Sequence, residues 1–273
     1  MNRAVRVISL FLLTLMFFSC SSTRQYKKLL KSDDHEAKYE AAMKAYEKGD
    51  YSSALQLFEN LLLYARGREH SEKVNFYYAK SLLGSGDNYS AGFQFESFVK
   101  WFPYSEYAEE ALFQAAYCKY MESPDYMLDQ TLTRESINDF QSYVERYPKS
   151  ERVAQVNGIM DELRNKLIKK DYYTAYNYYK TGEYQAAQTS LKNFLNDYPD
   201  ATSYRENAMY YIVLAGYEYA KKSVEDKQKE RYESVIMDYE RYEVTFSNLK
   251  NNVRKKELEK IYADSKSKYE SLK

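Results

Sequence analysis

Histidine and cysteine are nearly missing from this chain. Its 273 residues hold two of each, His35 and His70, Cys20 and Cys118. That is too few for a zinc cluster, and there is no disulfide framework if one cysteine is used otherwise. Glycine and proline are scarce as well, at eight and four. Their scarcity excludes a glycine-rich nucleotide-binding protein and a turn-dense β sandwich. Net charge is also absent, since 40 basic groups balance 40 acidic ones. A chain that neutralises nucleic-acid phosphates needs a basic excess, so no nucleic-acid partner is expected. The residue in excess is tyrosine, with 32 copies; aromatics reach 17% while charged groups still make up 29%. Such a chain is amphipathic throughout, which predicts a folded, helical protein that packs rings where others use Leu or Val.

The N-terminus reads as an address. Arg3 and Arg6 precede an apolar run from Val7 to Phe18, which is right for a signal peptide and short for a bilayer span. The run ends in Phe17-Phe18-Ser19-Cys20. A small residue before a lone cysteine resembles the bacterial lipoprotein box, with Phe17 where Leu is usual. The resemblance implies that residues 1–19 are removed and that Cys20 is acylated and becomes the first mature residue. Cleavage removes two arginines and no acid, giving a net charge of −2. Each buried methylene contributes about 0.8 kcal/mol, and two or more acyl chains hold firmly. Ser21 follows Cys20, with neither an Asp nor an acidic run. The expected location is the outer membrane, lipid-anchored and facing the periplasm, with 20–33 as a tether.

The rest of the chain repeats. A small residue is followed twelve positions on by another, then by an aromatic or Leu, an apolar residue and Pro. Copies read Ala42, Ala54, Phe58, Leu61; Ala79, Ala91, Phe95, Phe98, Pro103; and Ala175, Ala187, Leu191, Phe194, Pro199. Another keeps Ser136, Phe140, Tyr143 and Pro148, with Ala116 as its first small residue and about eight residues inserted around Ser123-Pro124-Asp125. Small side chains let two antiparallel helices approach closely. Gly49, Gly86 and Gly182 lie between them, where a left-handed residue ends the first helix. Pro103, Pro148 and Pro199 stop the second. Ser105 and Ser150 are suited to cap the next helix, and Asp33-Asp34 to begin the first. This is the signature of the tetratricopeptide repeat, a helix-turn-helix unit. The fold expected is therefore all-α, a tetratricopeptide-repeat superhelix of about five helical hairpins. Its fifth copy is degenerate, over Tyr210 to Lys222 and Tyr232 to Phe246. Val153 to Lys169 reads as a long linking helix, and Lys255 to Leu272 as a charged cap.

Stacked hairpins line a concave face with their first helices. Positions three before, one after and four after the small Ala should point inward. They are Tyr39, Met43 and Tyr46; Phe76, Lys80 and Leu83; Phe113, Tyr117 and Tyr120; and Tyr172, Tyr176 and Tyr179. Rings and phenol hydroxyls suit an extended or hairpin peptide, although an aromatic at helical spacing is as often core. Catalytic chemistry has no foothold. Glu109 and Glu110 diverge on a helix, the histidines lack a Ser or Cys partner with an orienting third group, and Cys118 reads as a buried small hydrophobe. No metal site, cofactor or enzymatic activity is expected. Arg205, Glu206 and Arg231 are possible polar contacts, though helix-surface charges are usually solvated.

The whole pattern resembles the BamD family, also called YfiO or ComL, of outer-membrane assembly lipoproteins. Three words carry it: Tyr46-Glu47-Lys48-Gly49-Asp50-Tyr51, Phe102-Pro103-Tyr104-Ser105-Glu106-Tyr107-Ala108-Glu109-Glu110-Ala111, and Ser123-Pro124-Asp125-Tyr126-Met127-Leu128-Asp129-Gln130-Thr131. The last lies in the insertion and is not demanded by repeat mechanics. The resemblance implies a scaffold that receives unfolded outer-membrane protein precursors and docks on the POTRA region of a BamA-like barrel insertase. Repeats over 34–150 would be the substrate end, and 151–273, with the linking helix, C-terminal repeats and capping helix, the BamA end. The other reading is a periplasmic repeat lipoprotein acting as adaptor in cell-envelope or peptidoglycan assembly, like CpoB. Such chains carry a coiled coil before the repeats, whereas repeat one here begins about fifteen residues after Cys20.

Overall fold

A computed structural model describes residues 26–65, 67, 70–247 and 253–272. Residues 1–19, expected to be a signal peptide, and Cys20 lie outside the described residues. Every regular element described is an α-helix, beginning with a short helical stretch over 26–30 that is left unnumbered. We number them α1 (His35–Glu47), α2 (Tyr51–Ala65), α3 (Ser71–Gly84), α4 (Asn88–Trp101), α5 (Ala108–Glu122), α6 (Thr131–Arg146), α7 (Val153–Lys180), α8 (Tyr184–Asp197), α9 (Thr202–Lys221), α10 (Glu225–Thr245) and α11 (Val253–Ser271). None is long and apolar enough to cross a membrane. The chain forms two compact units that divide within α7, between Leu163 and Arg164.

The small-residue positions sit at the centre of each hairpin. Ala42, Ala54, Ala79, Ala91, Ala116, Ser136 and Ala187 are fully buried, and Ala175 nearly so. Ser136 shows how close the helices come: its hydroxyl donates to the backbone carbonyl of Ala116 at 3.0 Å. The rings that follow, Phe58, Phe95, Phe98, Phe140 and Tyr143, are also fully buried.

Helix ends obey the turn chemistry. Gly49, Gly86 and Gly182 have φ of 73°, 88° and 84°. The next residue closes a Schellman turn in each case, with Asp50 N–H to Ala45 O, Asp87 N–H to Leu82 O and Glu183 N–H to Tyr178 O at 2.9–3.0 Å. Asp34, Asp50 and Asp87 each accept an N–H three residues on, as N-caps do. Before Pro103, Pro148 and Pro199, residues Phe102, Tyr147 and Tyr198 share φ near −126° and ψ of 59–67°, outside the helical region as proline requires.

Two details differ from expectation. Ser105 and Ser150 do not cap the helices themselves. Each accepts the N–H two residues on, from Tyr107 and Arg152, in a turn that leads into a helix starting three residues later at Ala108 or Val153. The linking helix also does not end near Lys169. No Gly or Pro interrupts 159–181, so α7 runs on for 28 residues and contributes the first helix of the hairpin with α8. The insertion is the loop 123–130, where buried Gln130 donates to the carbonyls of Asp125 and Leu128.

In the second unit α11 docks on α9 in parallel register. Arg254 donates to Asn207 at 2.5 Å, Tyr210 to Glu257 at 2.6 Å and Tyr217 to Asp264 at 2.8 Å. Each pair is 47 residues apart, and Leu258 is fully buried among them in the same core.

Candidate functional site

The twelve expected groove residues divide by position. Those three before the small Ala turn into the core in three copies: Phe76, Phe113 and Tyr172 are only 4–6% exposed. Each is enclosed by rings of its own hairpin and covered by the residue that leads into the next. Phe76 meets Phe95 and Phe98 and is covered by Tyr107 at 4.6 Å. Phe113 meets Phe140 and Tyr143 beneath the Arg152 guanidinium at 4.6 Å. Tyr172 meets Phe194 and is covered by Tyr204 at 4.7 Å. These three hold the stack together and offer no surface to a ligand.

The other nine, Tyr39, Met43, Tyr46, Lys80, Leu83, Tyr117, Tyr120, Tyr176 and Tyr179, are half-buried and keep a face toward solvent. In the first unit they gather with residues the repeat rule did not single out. Tyr46 lies edge-on to Tyr77 at 5.0 Å, and Tyr77 to Tyr107 at 6.3 Å. Tyr39 stacks on His70 at 4.2 Å, and His70 in turn reaches Glu36 at 3.1 Å. Farther along, Tyr117 packs against Tyr120, whose hydroxyl donates to Glu162 at 2.9 Å.

A polar row borders these rings. Lys80 and Arg152 reach Glu110 at 3.4 and 2.5 Å, and Gln114 donates to it at 2.8 Å. Desolvation alone would raise the Glu110 carboxyl, but the hydrogen bonds from Gln114 and Arg152 and the two positive charges outweigh it and hold it below the usual carboxylate range. Its neighbour Glu109 faces elsewhere and accepts from Tyr143 and Ser150 at 2.9 and 2.6 Å. Burial, then the neighbouring phenols and carboxylates, pushes Tyr39 and Tyr46 above the ordinary phenol value. These hydroxyls therefore stay protonated and can both donate and accept.

The second unit has its own ring cluster on α7 and α9. Tyr211 lies 4.6 Å from Tyr176 and 5.0 Å from Tyr179, and Tyr173 is 40% exposed beside Tyr176. Burial, and then a hydrogen bond with Tyr176, pushes the Tyr211 phenol up to about 12. Arg205, Glu206 and Arg231 are half-buried and engage groups of their own unit. Arg205 donates to Pro199 O, Glu206 accepts from Tyr242 and pairs with Arg254, and Arg231 covers the Tyr219 ring.

Cys118 is buried, with its thiol pushed up to about 12 by desolvation and then by Glu122. Gly92 makes room for it: a Cβ there would stand 3.1 Å from that of Cys118. Among the described residues, no group of three or more His, Cys, Asp and Glu could hold a metal ion.

Paired helices crossing at small residues, left-handed glycines between them and prolines after them define a tetratricopeptide-repeat protein. The model of the YfiO family, described as an outer membrane lipoprotein, matches residues 31–232. The chain belongs to this family. It is 26% identical over 215 residues to the "Putative outer membrane protein assembly factor BamD" of Aquifex aeolicus (strain VF5), covering 78% of this chain and 69% of that one. Solved structures it resembles include the TPR domain of P58(IPK), at 12% identity and TM-score 0.42 over 89% of this chain and 68% of that one. Another is a tetratricopeptide repeat protein from Parabacteroides merdae ATCC 43184, at 14% identity and TM-score 0.37 over 85% of this chain and all of that one. Likenesses this loose add nothing to the fold, which rests on the helices described above.

Proposed function

We propose that this chain is the lipid-anchored scaffold of the outer-membrane β-barrel assembly machinery. In this role it takes unfolded outer-membrane protein precursors on the tyrosine face of its first unit. Through its second unit it docks on the POTRA region of a BamA-like barrel insertase. Membership of the YfiO family carries the reading. The half-exposed row of Tyr39, Tyr46, Tyr117 and Tyr120, with Met43 and Lys80 among them, supports it chemically.

A precursor arrives as an extended strand with apolar side chains on one face and unpaired backbone groups along its edges. Rings supply apolar area for the first, and protonated phenols supply hydrogen bonds for the second. The Lys80, Glu110 and Arg152 row can align polar side chains beside them. Tyr176 and Tyr179 would do comparable work in the second unit. The task is holding and handing over, with no bond made or broken, so the chain needs no catalytic residue or cofactor. Acyl chains on Cys20 would keep the scaffold at the periplasmic face of the outer membrane.

Affinity purification from the native membrane tests the assignment. A BamA-like barrel protein should co-purify, and recovery of cell-wall enzymes alone would reject it. Cys20→Ala should release the chain to the soluble periplasm. Sedimentation with membranes after the insertase is also depleted would refute the anchor.

A further inference from the structure

One exposed apolar cluster has no part in the tyrosine face. It lies at the C-terminal ends of α2 and α4, second helices of the first unit, and in the turn that follows α4. Leu63 is 78% exposed, Trp101 58% and Tyr104 98%. Leu62, Leu63, Trp101 and Phe102 border one open cavity of about 700 Å³. Trp101 is the chain's sole tryptophan, and exposed Lys100 precedes it.

The composition is that of a bilayer interface. Trp and Tyr rings favour the headgroup level, with the apolar body inward and the polar atom wet. Leu side chains reach the acyl boundary, and a lysine beside them keeps its charge among the headgroups. The start of the described chain belongs to the same hairpin as Leu63. Tyr26 and Leu62 pack on the same core, that of the α1–α2 hairpin. Only five residues separate Cys20 from Tyr26, six steps that at full extension span about 20 Å. An acylated Cys20 would therefore hold this hairpin beside lipid. At such effective concentration even a weak interfacial contact is populated.

We propose that Leu63, Trp101, Phe102 and Tyr104 seat the first unit on the membrane surface. The acyl anchor then fixes an orientation as well as a location. The contact uses second helices, so the tyrosine row on α1, α3 and α5 stays free for its ligand. This rests on the acylation of Cys20 proposed above.

Trp101 is its own reporter. The acylated chain is reconstituted into vesicles of phosphatidylethanolamine and phosphatidylglycerol. In parallel, the unacylated mature chain is coupled through the Cys20 thiol to a maleimide lipid, which the buried Cys118 thiol should not attack. On tethered chains Trp101 emission should shift to the blue and be quenched by lipids brominated near the headgroup. Leu63→Glu and Tyr104→Glu should leave tethering intact and abolish the quenching. If the native chain fails to sediment with vesicles, the acylation reading fails and the coupled chain still decides the contact. A tethered chain whose Trp101 emits as it does in buffer overturns the proposal. So does quenching that both substitutions leave unchanged, or an emission shift seen only when a second envelope protein is added.

Discussion

Ala187→Leu should destabilise the second unit by about 1–3 kcal/mol, the usual cost of forcing methylenes into a filled core. The magnitude can be worked from the Ser136 crossing. There a single atom beyond Cβ already lies 3.0 Å from the facing carbonyl of Ala116. That is a good hydrogen-bond distance but too short for a carbon, whose optimal contact is about 3.5–4.0 Å. A leucine adds three carbons beyond Cβ. Ala187 is fully buried and Leu191, one turn on, is too, so the added group must push α7 and α8 apart or leave its rotamer. Ala186, its half-buried neighbour, is the control: Ala186→Leu should change stability by less than about 0.5 kcal/mol. Thermal melting by circular dichroism compares the two. Hydrogen exchange should show faster opening in α7, α8 and α9 for Ala187→Leu alone. Equal melting of wild type and Ala187→Leu would refute close crossing at the small residues.

Glu110→Gln should cost about 1 kcal/mol at pH 7, given its partly exposed partners Lys80 and Arg152. Because the folded carboxyl titrates below its ordinary value of 4.5, this increment is complete above that value and is lost as pH falls through the lower one. Urea melts of both proteins should converge in acid, and a constant gap would contradict the ion-paired row. Tyr143→Phe removes bonds to Glu109 and Ser150 and should cost about 0.5–1.5 kcal/mol. A double-mutant cycle with Ser150→Ala should then give a non-zero coupling energy. Leu258→Ala should cost about 2–5 kcal/mol by leaving a cavity beneath α11. Exchange should quicken in α9 and α11 and not in α1 to α5; uniform quickening would argue against two separable units.

The repeat was legible because its parts are local. A small residue, a glycine with positive φ and a proline each act on a single turn, and their spacing survives in one sequence. The limits appear where a second hairpin decides. Phe76, Phe113 and Tyr172 share a helical face with the half-exposed positions. They are buried because Tyr107, Arg152 and Tyr204 cover them from the next repeat. Tyr107 and Arg152 both lie four residues after a proline, a recurrence visible in the sequence and the one signal that could have predicted the cover. Tyr77 had no such mark, since it falls outside the three positions the repeat rule selects. Glu206 and Arg231 looked like surface charges because their partners, Tyr242 and Arg254 in one case and Tyr219 in the other, depend on how α9, α10 and α11 meet.

The ladder that seats the last helix has a practical consequence. Arg254, Glu257 and Asp264 each bind a group on α9 at the same 47-residue offset, while Leu258 plugs the space between. A chain cut before residue 253 would strip the lid from Tyr210, Val213 and Leu214 and leave a sticky helix at the tail. Deletion mapping in that region would then score clumping as lost binding, so point changes on α11 are the cleaner tool for testing the docking proposed for the second unit.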